Sequence, residues 1–223
     1  GDPVKMPSGK YLLRMSSNDT DTFSDWASTK PGISNNFFDP DLFFDAKVSP
    51  FSFPESSGTP VFREIEKAEE EVLISIYLLT SEQMAALLCG LLDKGVDVRI
   101  LLEGNMLGDN SFKTELSLMM RIVEAGGEVY LINDRLSGNP ERYSYVHNKY
   151  AVIDEKAVVL TSENWTPGNM SSKGNRGWGA VVESKGYAEY VKDIFLNDVS
   201  TEWGDVYSLS DFIGRDASYS DVV

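Results

Sequence analysis

In this 223-residue chain the residues best suited to chemistry lie in two short runs. One is His147-Asn148-Lys149-Tyr150-Ala151-Val152-Ile153-Asp154; the other is Thr161-Ser162-Glu163-Asn164. Residues two apart on a strand point to the same face. Read as neighbouring strands, the runs project His147 with Lys149, and Ser162 with Asn164, at one sheet edge. Lysine supplies a fixed positive charge, an imidazole nitrogen can attack phosphorus, and a hydroxyl and an amide bind phosphate oxygens. The four residues are therefore predicted to converge on one tetrahedral anion.

The elements that must position them begin near Thr59. Thr59-Pro60 opens a helix, with Val61, Phe62, Ile65 and Ala68 on one face and a solvated acidic face opposite. Val72–Leu78 reads as a buried strand. Helix Ser81–Lys94, strand Val96–Leu102, helix Ser111–Ala125 and strand Glu128–Ile132 follow, with Gly95 and Gly126-Gly127 closing the helices. Tyr145–Ile153 and Ala157–Leu160 are apolar runs joined by the tight turn Asp154-Glu155-Lys156. Gly179–Glu183 reads as a short strand and Tyr187–Leu196 as an amphipathic helix. This alternation predicts an α/β fold, a mixed and largely parallel sheet with helices on both faces. Three segments are expected: an extended arm over 1–58, with short strands near Lys10–Arg14 and Ala46–Phe53; a catalytic domain over 59–198; and an acidic, Ser-rich tail or linker over 199–223. The arm carries Trp26, Phe37, Phe38, Phe43, Phe44, Phe51 and Phe53, which are expected to pack on the domain.

Composition narrows the chemistry. With 20 Lys+Arg against 35 Asp+Glu, the net charge is −15, and such a surface repels nucleic-acid phosphates at long range. A hydrophobic share of 42% fits a folded chain and excludes a wholly disordered one. No apolar run approaches the roughly 18 residues of a membrane span. One cysteine, Cys89, excludes a disulfide framework and a cysteine-based zinc site; its apolar helical run makes it a buried inert thiol. One histidine excludes a multi-His metal site within one chain. Asp19, Asp21 and Asp25 lack the glycine and terminal glutamate of a calcium loop. Neither a metal nor another cofactor is expected. Met119 and Met120 are read as core.

The spaced pattern His147-x-Lys149-x4-Asp154-x6-Thr161-Ser162-x-Asn164 resembles the phospholipase D superfamily signature H-x-K-x4-D-x6-G-S-x-N. The resemblance covers about Thr59–Asp198, and the layout is most similar to the nuclease-like and archaeal branches. It implies a metal-independent phosphodiesterase acting on a nucleic acid or a phospholipid. His147 would attack phosphorus and form a phosphohistidine. Lys149 and Asn164 would hold phosphoryl oxygens, and Ser162 would cap the phosphate or orient the loop. Asp154 belongs to the catalytic signature, but its position beyond the buried strand suits a role in fold and local electrostatics.

Two departures stand out. Thr161 replaces the signature glycine. Gly177 stands where related sequences carry a glutamate that orients the nucleophile; Glu183 is the nearest later carboxylate. Arg176 reads equally as an extra phosphate contact or a surface arginine. The superfamily reaction uses two histidines, and this chain has one. The second motif is expected from a homodimer partner or from a second motif domain of a longer chain; the start without Met and the linker-like ends favour the longer chain. The alternative is a non-catalytic phosphate-binding or scaffold module. The arm is similar to segments of large archaeal surface proteins, which implies an extracellular or cell-surface setting.

Overall fold

The structure is a computed structural model that describes residues 11–14, 20, 25–29, 42–105, 109–138 and 142–215. Strands β1 (Tyr11–Arg14) and β2 (Trp26–Thr29) form a separate antiparallel pair. The main body follows in the order β3 (Lys47–Phe53), α1 (Thr59–Ile65), β4 (Glu71–Ile76), α2 (Glu82–Leu92), β5 (Asp97–Glu103), α3 (Asp109–Glu124) and β6 (Glu128–Ile132). Then come α4 (Asp134–Ser137), β7 (Lys149–Ile153), β8 (Ala157–Thr161), β9 (Gly177–Glu183), α5 (Lys185–Asp198), β10 (Val206–Ser208) and α6 (Leu209–Arg215).

One eight-stranded sheet runs in the order β10-β6-β5-β4-β7-β8-β9-β3. It is mixed, as expected, but its parallel share is smaller than the sequence implies. Only β4–β5 and β5–β6 pair in parallel. The β10–β6, β4–β7, β7–β8, β8–β9 and β9–β3 pairs are antiparallel. The cause is the turn Asp154–Lys156: it makes β7 and β8 a hairpin, and β7 enters against β4 in the opposite sense. Both Asp154 and Glu155 take φ of 51°, the left-handed conformation of tight hairpin turns.

Helices cover both faces, and strand alternation sorts the cores. Val72, Ile74 and Ile76 of β4, with Ile100 and Leu102 of β5, pack with residues of α1, α2, α3 and α6. Leu73, Leu101 and Val152 face the other way, with Ala188, Val191 and Phe195 of α5. Ser81 caps α2 by accepting the Met84 N–H, and Ser184 caps α5 by accepting the Tyr187 N–H.

The segment after Asp198 differs from the expected tail. Val206–Ser208 pairs with β6, and Leu209, Phe212 and Ile213 of α6 are buried in the larger core. The buried guanidinium of Arg142 ties this segment down: its Nε donates to Asp205 Oδ2 at 2.9 Å, and an Nη donates to the Asp198 carbonyl at 3.0 Å. From the arm, β3 adds the edge strand beside β9, Phe53 is fully buried, and Phe44 packs on Tyr187 and Tyr190. Phe43 is 83% exposed, against the expectation that the arm's aromatics are covered. Phe37, Phe38, Asp19 and Asp21 lie outside the described residues. Met119 is fully buried and Met120 packs against the same core; Cys89 is half-buried. Among the described residues no helix is long and apolar enough to cross a membrane, and no group of three or more His, Cys, Asp or Glu is arranged to hold a metal ion.

Candidate phosphate site at the end of the central strands

His147 stands just before β7, not on it. The strand begins at Lys149, four residues later than the apolar run from Tyr145 implies. The approach segment is held by side chains instead of ladder bonds. Glu103, at the end of β5, accepts the Val146 N–H at 2.6 Å and the Asn105 N–H at 2.6 Å. Ser75 donates to Asn148 Oδ1 at 3.1 Å, and the Tyr77 N–H donates to the Asn148 carbonyl at 3.1 Å. Asn148 is thus clamped to β4, while His147 stays exposed between two anchored neighbours.

Lys149 is buried, and its ammonium donates to the His147 carbonyl at 2.5 Å while lying 5.5 Å from the ring centroid of Tyr77. Tyr77 also packs on the His147 ring at 4.8 Å between centroids. Burial lowers the His147 pKa, and the Lys149 charge lowers it further. The neutral imidazole, the nucleophilic form, is therefore favoured. Burial lowers the Lys149 pKa, with the Glu163 carboxylate pulling the other way.

The antiparallel β7–β8 hairpin brings the second run to the same end. Tyr150 pairs with Leu160 and Ile153 with Ala157, so the start of β7 lies beside the end of β8. Beyond β8 the chain is stitched to β4: the Trp165 N–H donates to the Leu78 carbonyl, and the Trp165 carbonyl accepts the Thr80 and Ser81 N–H groups. Ser162 accepts the Trp178 N–H on Oγ at 2.9 Å, so its hydroxyl orients the loop. Asn164 is half-buried, and its Oδ1 has no hydrogen-bond partner. A cleft of about 380 Å³ opens beside His147, lined by Tyr143, Tyr145, Val146, Asn148, Ile194 and Asp198.

Asp154 lies apart from this set. It lies at the opposite end of β7, five residues from Lys149, or about 16 Å of strand. There its carboxylate accepts the N–H groups of Glu69 at 3.0 Å, Glu70 at 2.8 Å and Glu71 at 2.9 Å. Burial pushes the carboxyl up, but these donors outweigh it and hold the pKa below the ordinary range. Asp154 is the clasp that joins the hairpin turn to the start of β4.

The departures have physical explanations. Thr161 uses the hydroxyl that glycine lacks: its Oγ1 accepts the Trp165 indole N–H at 3.1 Å and donates to the Glu163 carbonyl at 2.9 Å, fixing the 161–165 turn. At Gly177 the side chains of Glu163 and Ser162 occupy the space that a side chain would enter. A Cβ there would lie 2.3 Å from Glu163 Oε1 and 2.7 Å from Ser162 Oγ. Glu183 sits at the far end of β9, paired with Lys47 at 2.6 Å. Arg176 binds Glu55 at 2.7 Å and the Phe53 carbonyl at 3.0 Å, so it ties down β3.

The residues that the signature alone does not reveal are Glu103, Tyr77 and Glu163. A glutamate closing the apolar run Val98–Leu102 was the available signal for Glu103. Tyr77 meets His147 and Lys149 through the β4–β7 pairing, and Glu163 lies against Ser162 and Gly177 beyond β8.

A buried cation, an exposed imidazole favoured in its neutral form and a half-buried amide thus lie at one end of the mixed sheet of an α/β domain. The chain belongs to the phospholipase D-like domain family: residues 61–199 match the family described as "Cardiolipin synthase, PLD-like domain". It is 26% identical over 156 residues to a mouse protein named mitochondrial cardiolipin hydrolase, covering 69% of this chain and 62% of the relative. It is 28% identical over 153 residues to a Rickettsia conorii protein named phospholipase D, covering 68% and 69%. The chain thus spans less than two thirds of the length of the mouse relative. In fold it is similar to Nuc from Salmonella typhimurium, titled a phospholipase D family member (TM-score 0.60, 18% identity, 74% of this chain and 98% of that one). It is similar also to NucT from Helicobacter pylori (TM-score 0.54, 21% identity, 68% and 94%).

Proposed function

We propose that this chain is a phosphodiesterase that works without a metal, through a covalent phosphohistidine at His147. The observation that carries the reading is the pairing of an exposed His147, whose neutral form is favoured, with the buried Lys149 whose ammonium holds the His147 carbonyl. The nucleophile is presented, uncharged, beside a fixed positive charge, which is what attack on an anionic diester requires.

An imidazole nitrogen of His147 attacks phosphorus. The N–P bond forms, the P–O bond to the leaving group breaks, and that oxygen takes a proton from a second imidazole. Water then attacks phosphorus, gives its proton to the second imidazole, and releases His147 as the N–P bond breaks. Lys149 and Asn164 bind the non-bridging oxygens, and the cleft lined by Tyr145 and Asn148 has room for one substituent of the diester. The second imidazole comes from a second copy of the chain, or from a further motif in a longer polypeptide. The names of the relatives support a phospholipid diester, and a nucleic-acid diester is the second substrate class to assay.

Hydrolysis of bis(p-nitrophenyl) phosphate in EDTA tests the reading, with His147→Asn as control. We expect turnover that His147→Asn abolishes. Equal rates in the two proteins would remove His147 from the reaction, and phosphate binding without turnover would favour a binding module. Single-stranded DNA, RNA and phosphatidylcholine vesicles, assayed in parallel, distinguish the substrate classes.

A further inference from the structure

Helix α3 carries a carboxyl group on the face where its spacing calls for an apolar residue. Phe112, Leu116, Met119 and Ile122 of this helix are buried in the larger core, and Glu115 among them is fully buried as well. Burying such a group is unfavourable unless it answers a need for an acceptor. The need arises at the end of β4. The β4–β5 ladder stops at the pair Ile76–Leu102, and β5 ends one residue later at Glu103. Leu79, three residues beyond that pair, is fully buried and lies past the reach of the ladder.

On its other side Leu79 forms a parallel rung with Trp165. The Trp165 N–H donates to the Leu78 carbonyl at 3.0 Å, and the Thr80 N–H donates to the Trp165 carbonyl at 3.1 Å. Successive peptides of an extended chain face opposite ways, so the Leu79 N–H points away from Trp165, to the side on which β5 pairs with β4. There Glu115 Oε1 accepts it at 2.5 Å. The side chain takes the part of a strand that has ended. Burial pushes the Glu115 carboxyl well above the usual carboxylate range, with the Leu79 N–H pulling the other way, so the neutral acid is favoured. The rung so held is the one beside the phosphate-binding amide: Trp165 directly follows Asn164, whose carbonyl accepts the Thr166 N–H at 3.0 Å. His147 is anchored by a different acid, Glu103, through the Val146 N–H.

We propose that Glu115 is a positioning residue for Asn164: by accepting the Leu79 N–H beyond the end of the β4–β5 ladder, it holds the Leu79–Trp165 rung and so sets where the neighbouring amide stands. The inference rests on the phosphodiesterase reading only in what Asn164 does, not in whether Glu115 places it. What the position needs is an acceptor at the reach of a glutamate, not a negative charge. Glutamine, a near isostere of the neutral acid, supplies that acceptor. Aspartate keeps the carboxyl but falls one methylene short of Leu79.

The test is NMR of the full chain labelled with 15N, with the Asn164 side-chain amide assigned through Asn164→Asp. That signal should keep its parent position in Glu115→Gln and move or broaden in Glu115→Asp, while His147 titrates as in the parent in both. On bis(p-nitrophenyl) phosphate, kcat/KM should stay near the parent value in Glu115→Gln and fall about tenfold or more in Glu115→Asp, the scale of a misplaced binding group. An unmoved Asn164 signal in Glu115→Asp overturns the proposal. So does an equal change at His147 and Asn164, which marks a general loosening of the fold. If Glu115→Asp does not fold, amide hydrogen exchange of the parent decides: the Leu79 and Trp165 amides should be protected alike, and a Leu79 amide that exchanges far faster overturns the proposal. Proteins whose Asn164 signals behave as expected but which hydrolyse no diester support the role of Glu115 and overturn the catalytic reading.

Discussion

The ammonium of Lys149 donates a hydrogen bond to the backbone carbonyl of His147 at 2.5 Å. One side chain therefore both carries a positive charge beside His147 and fixes the peptide that bears the proposed nucleophile. The ring of Tyr77 backs both residues, 4.8 Å from the imidazole and 5.5 Å from the ammonium. Replacing Lys149 removes a charge and loosens His147 together.

Lys149→Met keeps the apolar stem against Tyr77 and removes only the ammonium. It should lower kcat/KM on a diester by about 10²- to 10³-fold, the usual effect of losing one preorganised donor at a developing charge. The fold should be intact by circular dichroism. A reduction of less than tenfold would assign phosphate binding elsewhere.

The pH dependence expected of His147 has a definite sign. Burial and the Lys149 charge both depress the His147 pKa, so the neutral imidazole persists to lower pH than in a free histidine, whose pKa is about 6.5. The acid limb of kcat/KM should therefore lie below about pH 6.5, and Lys149→Met should move it upward by removing the repelling charge. Histidine NMR titration of the parent and variant reads the same shift, and the chain's one histidine makes the signal unambiguous.

Asp154→Asn separates folding from chemistry. The carboxylate receives three backbone N–H groups, and its depressed pKa means that it stabilises the fold above the unfolded value of about 3.9. That contribution is lost as pH falls through the lower folded pKa. The variant should lose about 1–3 kcal/mol at neutral pH, and the gap to the parent should narrow below about pH 4. Urea unfolding at two pH values measures this, and activity per folded molecule should change little, since Asp154 lies at the other end of β7.

Much of this was legible from residues alone. The hairpin turn at Asp154–Lys156, the strands at Glu128–Ile132 and Ala157–Thr161, and the edge strand ending at Phe53 follow from apolar runs and turn chemistry. The start of β7 did not: Tyr145 and Val146 are strand-like by type, yet Glu103 captures the Val146 N–H from another strand. Strand direction was hidden because the β4–β7 pairing joins residues about eighty positions apart. The acidic, Ser-rich background of the last residues masked the buried positions Val206, Leu209, Phe212 and Ile213. The placing of Glu163 was hidden for a related reason: it lies against Gly177, fourteen residues on, which β8–β9 pairing brings near.

The C-terminal segment yields a further expectation. Arg142 and Asp205 are both almost fully buried and joined at 2.9 Å, and this pair fixes the start of the segment that leads to His147. Arg142→Met leaves Asp205 buried without its partner and should destabilise the fold by about 3–5 kcal/mol. Denaturant unfolding is the check; a loss below about 1 kcal/mol would mean that the segment after Asp198 contributes little to the domain.

The most direct measurement is mass spectrometry of the chain quenched under alkaline denaturing conditions during turnover of bis(p-nitrophenyl) phosphate, with peptides mapped around residue 147. The account predicts a p-nitrophenyl phosphoryl adduct on His147, bound through nitrogen, present in the parent and absent in His147→Asn. Sustained turnover with no adduct on His147, or an adduct that persists on another residue in the variant, would contradict it.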